Sequence, residues 1–143
     1  MESLIVPGEL NYLDDVADFV YAAAEMADLD ERATYQLRLS VDEIATNIIL
    51  HGYEEAGRDG DLRLTAVMTS RQLVIHLEDT GVAYDPTKRP LPTSLSAPAH
   101  EREIGGLGIY LALAGVDDFR YTRFTYYNRS SFIVDRQPVL ISA

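Results

Sequence analysis

The apolar residues Ala33, Leu37, Val41, Ile44 and Ile48 recur in steps of four, four, three and four, with Asp30 ahead of them and Gly52 behind. That spacing describes an α-helix with one buried face, so the chain must supply a second layer for this face to pack on. Asp30 is expected to cap the helix and Gly52 to stop it. Glu43, Asn47 and His51 stand four apart along it and project from one side. Glu43 and Asn47 border the apolar stripe, with Leu37, Ile44 and Ile48 on one flank and Leu39 and Leu50 on the other. A carboxylate and an amide so placed are hydrogen-bonded, hold a cation or face a cavity, although a solvated helix edge is the simpler account of the two residues alone. One turn apart, they can hold a hydrated Mg²⁺ and supply a base beside it.

The rest of the chain supplies the second layer. Residues 3–6 read as an edge strand closed by Pro7-Gly8, and Leu13, Val16, Ala17, Val20, Ala24 and Ala27 form an amphipathic helix ending near Leu29. Residues 62–68 and 73–78 alternate as a hairpin about Thr69-Ser70-Arg71. Pro86, Pro90, Pro92 and Pro98 punctuate a stretch without periodicity, the length of a functional lid. Gly105-Gly106-Leu107-Gly108 then opens a short buried helix over 109–116. Residues 119–127 read as an aromatic strand, Asn128-Arg129 as a turn and 131–135 as a last strand. The order implies one α+β domain over 1–143, with helices on one face of a mostly antiparallel sheet.

Charge and composition narrow the function. Twelve basic against 23 acidic residues give a formal net charge of −11, which opposes nucleic acid and anionic membrane surfaces as partners. With no cysteine, disulfides, thiolate zinc sites and a cysteine nucleophile are excluded. The N-terminus lacks a basic signal region and no apolar run reaches membrane-spanning length, so the cytoplasm is the expected location. His51, His76 and His100 lack zinc-ligand spacing, and no Gly-x-Ser-x-Gly elbow supports a hydrolase.

Two further segments carry chemistry. Asp79-Thr80-Gly81-Val82-Ala83-Tyr84-Asp85-Pro86 follows a central strand; its first carboxylate can accept from an exocyclic amine, and Gly81 permits close backbone approach to a flat ring. Gly105, Gly106 and Gly108 at a helix mouth can turn backbone N–H groups toward phosphate. Each segment alone is common.

Their order and spacing are not. Glu43-x-x-x-Asn47-x-x-x-His51-Gly52-Tyr53, then Asp79-x-Gly81-x-x-x-Asp85-Pro86, then Gly105-Gly106-Leu107-Gly108-Ile109-x-Leu111, ending with Asp117 and Tyr121, resemble the N, G1 and G2 boxes of the GHKL ATPase superfamily. Within it the chain is similar to bacterial anti-sigma-factor serine/threonine kinases that work with STAS-domain anti-anti-sigma proteins. The resemblance implies a two-layer α/β sandwich of Bergerat type that binds Mg²⁺ and ATP. It assigns Glu43 as general base, Asn47 as Mg²⁺ ligand and Asp79 as acceptor for the adenine amine, with Gly81 under the ring. His51, Ala83 and Asp85 complete the first two boxes, while Gly105, Gly106, Leu107, Gly108 and Ile109 attend the phosphates behind a lid at about 87–104. It further implies phosphorylation of a STAS-type partner, sequestration of a sigma factor and homodimerisation through the sheet. A non-catalytic ATP-dependent binding module of the same fold is the alternative. The chain departs from the pattern at Ile104, where some members carry arginine, and at Tyr126, where many carry glycine.

Overall fold

The computed structural model describes residues 2–86 and 112–137. Strand β1 (Glu2–Pro7) is followed by a 3-10 turn (Leu10–Tyr12), helix α1 (Leu13–Met26) and helix α2 (Glu31–Asn47). A π-helical segment (Ile48–Glu54) continues α2, and strands β2 (Asp61–Met68), β3 (Gln72–Asp79), β4 (Asp118–Arg123) and β5 (Asn128–Asp135) complete the described elements. The strands form a five-stranded sheet in the order β1-β2-β3-β5-β4, every neighbouring pair antiparallel. This is the expected α+β architecture. No helix among the described residues is long and apolar enough to cross a membrane.

Strand alternation decides what the sheet offers the helices. Leu62, Leu64 and Ala66 of β2, Leu73, Ile75 and Leu77 of β3, and Phe132 and Val134 of β5 are buried on the helix-facing side. The helices answer with Val16, Val20 and Ala23 of α1 and Leu37, Val41, Ile44 and Ala45 of α2. Each large side chain so buried stabilises the fold by about 1.5–3 kcal/mol in transfer terms. Asp30 caps α2 as expected, its carboxylate accepting from the Ala33 N–H at 2.7 Å.

Helix α2 also holds the chain that returns to the sheet. Ser40, fully buried, donates to the carbonyls of Gln36 and Ala112. Residues 112–114 are helical, the described end of the expected helix 109–116. Gly115 follows against the same helix, its N–H donating to the Ala112 carbonyl at 3.1 Å and a Cβ there meeting the Gln36 side-chain amide, which would have to swing aside.

Three boundaries differ from expectation. Gly52 does not stop the second helix: the backbone widens to π geometry at Ile48, and Glu55 N–H donates to the Leu50 carbonyl, five residues back. Helix α1 ends at Met26, earlier than Leu29, because Asp28 adopts φ 55° and sends the Leu29 N–H back to Ala24. Asn128-Arg129 is strand, with the turn at 124–127, where Phe124 N–H donates to the Tyr127 carbonyl.

Candidate functional site

The inward-facing rows of β3 and β5 change character at one end. Leu73, Ile75 and Leu77 are followed two residues on by Asp79, while Val134 and Phe132 are preceded by Ser130 and Asn128. Register pairs Leu77 with Ser130 and Asp79 with Asn128. A carboxylate, an amide and a hydroxyl thus sit under the end of α2, where Asn47 is the last α-helical residue. Asn47, Asp79 and Asn128 are 7%, 4% and 1% exposed. They line a slot with Ile44, Ile48, Gly52, Val82, Tyr84, Pro86, Tyr121 and Ser130.

Hydrogen bonds orient these groups. Asn47 Nδ2 donates to the Glu43 carbonyl at 2.7 Å, which leaves Oδ1 as its outward acceptor. Asp79 Oδ1 accepts from Gly81 N–H and from Asn128 Nδ2, both at 2.9 Å. Burial raises the pKa of Asp79, opposed by the hydrogen bonds from Asn128 and Gly81 and by the charge of Arg123.

The loop after β3 is fixed from two sides. Tyr53, buried in the π segment, donates its hydroxyl to the Asp61 carbonyl at 2.7 Å and accepts from Thr80 N–H at 2.9 Å. Its ring lies so close to the backbone of Gly8 and Gly60 that a Cβ on either would come within 2.6 Å of ring carbon. Gly81 meets Gly52 backbone to backbone: a Cβ there would lie 2.8 Å from the Gly52 oxygen, and Val82 N–H donates to that oxygen at 3.2 Å. The described structure therefore gives Gly81 a packing reason for lacking a side chain.

The structure gathers some expected site residues and turns others away. Asn47 and Asp79 line the slot; Glu43 is half-buried one turn before Asn47, outside the lining. His51 is exposed, pairs with Glu55 and also lies outside it, because the π turn breaks the four-residue repeat that kept it above Asn47. Val82, Tyr84 and Pro86 line the slot, while Ala83 is exposed and Asp85, half-buried, lies outside the lining. Gly105, Gly106, Leu107, Gly108, Ile109 and the segment 87–104 lie outside the described residues. His76 faces the other side of the sheet, its Nδ1 2.8 Å from the Ser131 hydroxyl; burial, with Arg129 adding to it, lowers its pKa.

Asn128 and Ser130 are slot residues with no motif to mark them, and Tyr121, which closes the resemblance without a role there, joins them in the lining. The signal for the first two is the alternation that makes Phe132 and Val134 inward, carried back to 130 and 128.

The donor set fits an adenine nucleotide: one acceptor at the end of an apolar slot matches an exocyclic amine at the edge of a flat ring. The space between the walls is about 20 Å³. That is enough for a water, so the slot must widen to take a purine. Among the described residues no cluster of three His, Asp or Glu could hold a metal. Asn47 Oδ1 fits one place on a hard cation whose other ligands are phosphate oxygens and water.

Known proteins resemble this chain in sequence and in fold. The chain is 31% identical over 107 residues to the serine/threonine-protein kinase BtrW of Bordetella bronchiseptica, covering 75% of this chain and 74% of that protein. It is 31% identical over 85 residues to the anti-sigma F factor of Clostridium acetobutylicum, covering 59% of this chain and 57% of that one. Among solved structures, the RsbU and RsbW domains of Rv1364c from Mycobacterium tuberculosis superpose with a TM-score of 0.63 at 13% identity. That match covers 99% of this chain but 35% of the other, and shows a shared fold. Residues 6–129 match the histidine kinase-like ATPase domain, and the chain belongs to that family.

Proposed function

We propose that this chain binds Mg-ATP and phosphorylates a serine or threonine of a STAS-domain anti-anti-sigma protein, holding a sigma factor in the alternative partner state. The observation that carries the reading is the convergence of Asn47 and Asp79 on one apolar slot, from elements 32 positions apart in sequence. The relative named a serine/threonine-protein kinase supports transfer to a protein hydroxyl, and the one named an anti-sigma F factor supports a sigma factor as partner.

In this reading Asp79 offers its second oxygen to the exocyclic amine, and Ile44, Ile48 and Val82 flank the ring. Asn47 Oδ1 holds Mg²⁺, which when bound neutralises phosphate charge. Glu43 takes the proton of the partner's hydroxyl as that oxygen bonds to the γ-phosphorus and the bond to the leaving ADP oxygen breaks. Gly105, Gly106, Leu107, Gly108 and Ile109 are assigned to the phosphates and 87–104 to the lid by the resemblance alone. The protein works in the cytoplasm as a homodimer through the sheet. Val67, Val74 and Ile133, aligned on the face away from the helices, support that pairing.

Transfer from labelled Mg-ATP to a STAS protein of the same genome, beside a binding titration, tests the reading. Glu43→Gln is expected to keep nucleotide affinity and lose about 10²–10⁴-fold in transfer. Asn47→Ala is expected to lose the Mg²⁺-dependent part of binding. Tight ATP binding by the wild type without transfer to any such partner would overturn the kinase reading and leave the nucleotide-dependent binding module.

A further inference from the structure

Asn128 makes more hydrogen bonds than any other group described in the slot, and their chemistry admits one orientation. Its Oδ1 accepts from the Tyr121 hydroxyl and, at 3.1 Å, from Arg123 Nη1. A guanidinium only donates, so this end of the amide must be the oxygen. The other end is then the NH₂, which donates to Asp79 Oδ1 at 2.9 Å and to the Gly81 carbonyl at 3.1 Å. With Gly81 N–H also on Oδ1, that oxygen has two donors in fixed directions. The carboxylate can no longer turn about its last bond without breaking one of them.

We infer that Asn128 is the positioning residue that makes the slot selective for a ring bearing an exocyclic amine, by locking Asp79 with its Oδ2 presented as a pure acceptor. This rests on the adenine reading of Asp79. The lock has an anchor and a tie. Arg123 fixes the polarity of the amide from the exposed end of β4. Tyr121 donates its proton to Asn128 and accepts from Tyr84 N–H at 3.1 Å, tying the slot wall at Tyr84 to the same amide. A buried amide with both ends satisfied confers direction, whereas an apolar residue of equal size would fill the space and leave the carboxylate to rotate. Asn128 acts through Asp79, so its effect is on which base is accepted.

The test compares ATP with purine riboside triphosphate, which has the same ring and phosphates but no exocyclic amine, by calorimetric titration with Mg²⁺. Asn128→Ala is expected to weaken ATP binding about tenfold and leave the amine-free nucleotide within about twofold, the loss of one charge-assisted hydrogen bond. In an Asp79→Asn background the same substitution is expected to change ATP affinity no further. If Asn128→Ala does not fold, the combination Tyr121→Phe with Arg123→Leu, which removes both donors to Oδ1 and frees the amide to flip, is expected to lower ATP affinity alone by severalfold. Equal losses for both nucleotides, or none for ATP, would overturn the inference. If Asp79→Asn itself left ATP affinity unchanged, the adenine reading would fail and the inference with it. A loss at Asp79 without one at Asn128 would overturn the positioning role alone.

Discussion

Burial raises the pKa of Asp79 above its ordinary value, and the hydrogen bonds from Asn128 and Gly81 with the charge of Arg123 restore only part of it. Between the ordinary carboxyl pKa and the raised one, the native state holds a proton that the unfolded chain has released, so stability falls as pH rises through that window. Above it the buried charge is a standing cost to the folded protein. Asp79→Asn keeps an oxygen to accept from Asn128 and Gly81 and removes the charge. It is expected to raise Tm of the ligand-free protein at pH 7, by about 3 °C for each kcal/mol recovered, with the gain shrinking as pH is lowered through the window. The same change turns the outward atom from acceptor to donor, so ATP affinity is expected to fall by roughly one to two orders of magnitude. Melting curves across pH, run beside nucleotide titrations, check both; a lower Tm at pH 7 would show that the charge is stabilising. Asp79 is legible in the sequence as the carboxylate that opens the Asp79-Thr80-Gly81 segment at the end of a strand, and the structure adds that it continues the inward row of Leu73, Ile75 and Leu77. Asn128 carries only a turn signal in the sequence, since its partner Asp79 lies 49 positions away.

The elements show where local rules hold and where packing overrides them. Helix α1 ends in a Schellman arrangement: Asp28 N–H donates to Glu25 at 3.1 Å and Leu29 N–H to Ala24 at 3.0 Å, with Asp28 at φ 55°. A side chain pays for that left-handed backbone where glycine would not, so Asp28→Gly is expected to stabilise the domain by about 1 kcal/mol. Urea denaturation measures it, and a lower midpoint with unchanged slope would show that the Asp28 side chain contributes more than the strain it carries. The β4–β5 turn went unread for a related reason. Phe124 and Tyr127 stack at 4.6 Å, with the Arg129 guanidinium 5.1 Å from the Phe124 ring centre. Aromatic residues that favour strands are spent here on closing a turn. The π segment is likewise invisible to periodicity, since its widening brings Gly52 against Gly81 and Tyr53 against Asp61 and Thr80.

At the scale of the whole molecule the formal charge of −11 acts on every titration and melting curve. Exposed acids on the helix layer, among them Asp14, Asp15, Asp18, Glu25 and Glu31, repel one another at low ionic strength. Raising sodium chloride from about 10 mM to about 200 mM shortens the screening length several-fold. Stability is expected to rise by on the order of 1 kcal/mol, about 3 °C in Tm. Calorimetry over a chloride series measures it, and a flat or falling profile would show that local ion pairs such as Arg38–Asp42 and Arg129–Glu78 outweigh the net repulsion.

The sequence alone determined what depends on neighbours along the chain: two amphipathic helices, the Asp30 cap, the β2–β3 hairpin, and a carboxylate and an amide at the border of apolar faces. Those features follow from backbone periodicity and side-chain shape within a few residues. Only the tertiary structure decided that β5 lies between β3 and β4, that Asn128 faces Asp79, and that Gly81 is small for the sake of Gly52. Each of these is settled by groups distant in sequence competing for the same buried hydrogen bonds and the same space, a competition that exists only once the helices are packed on the sheet.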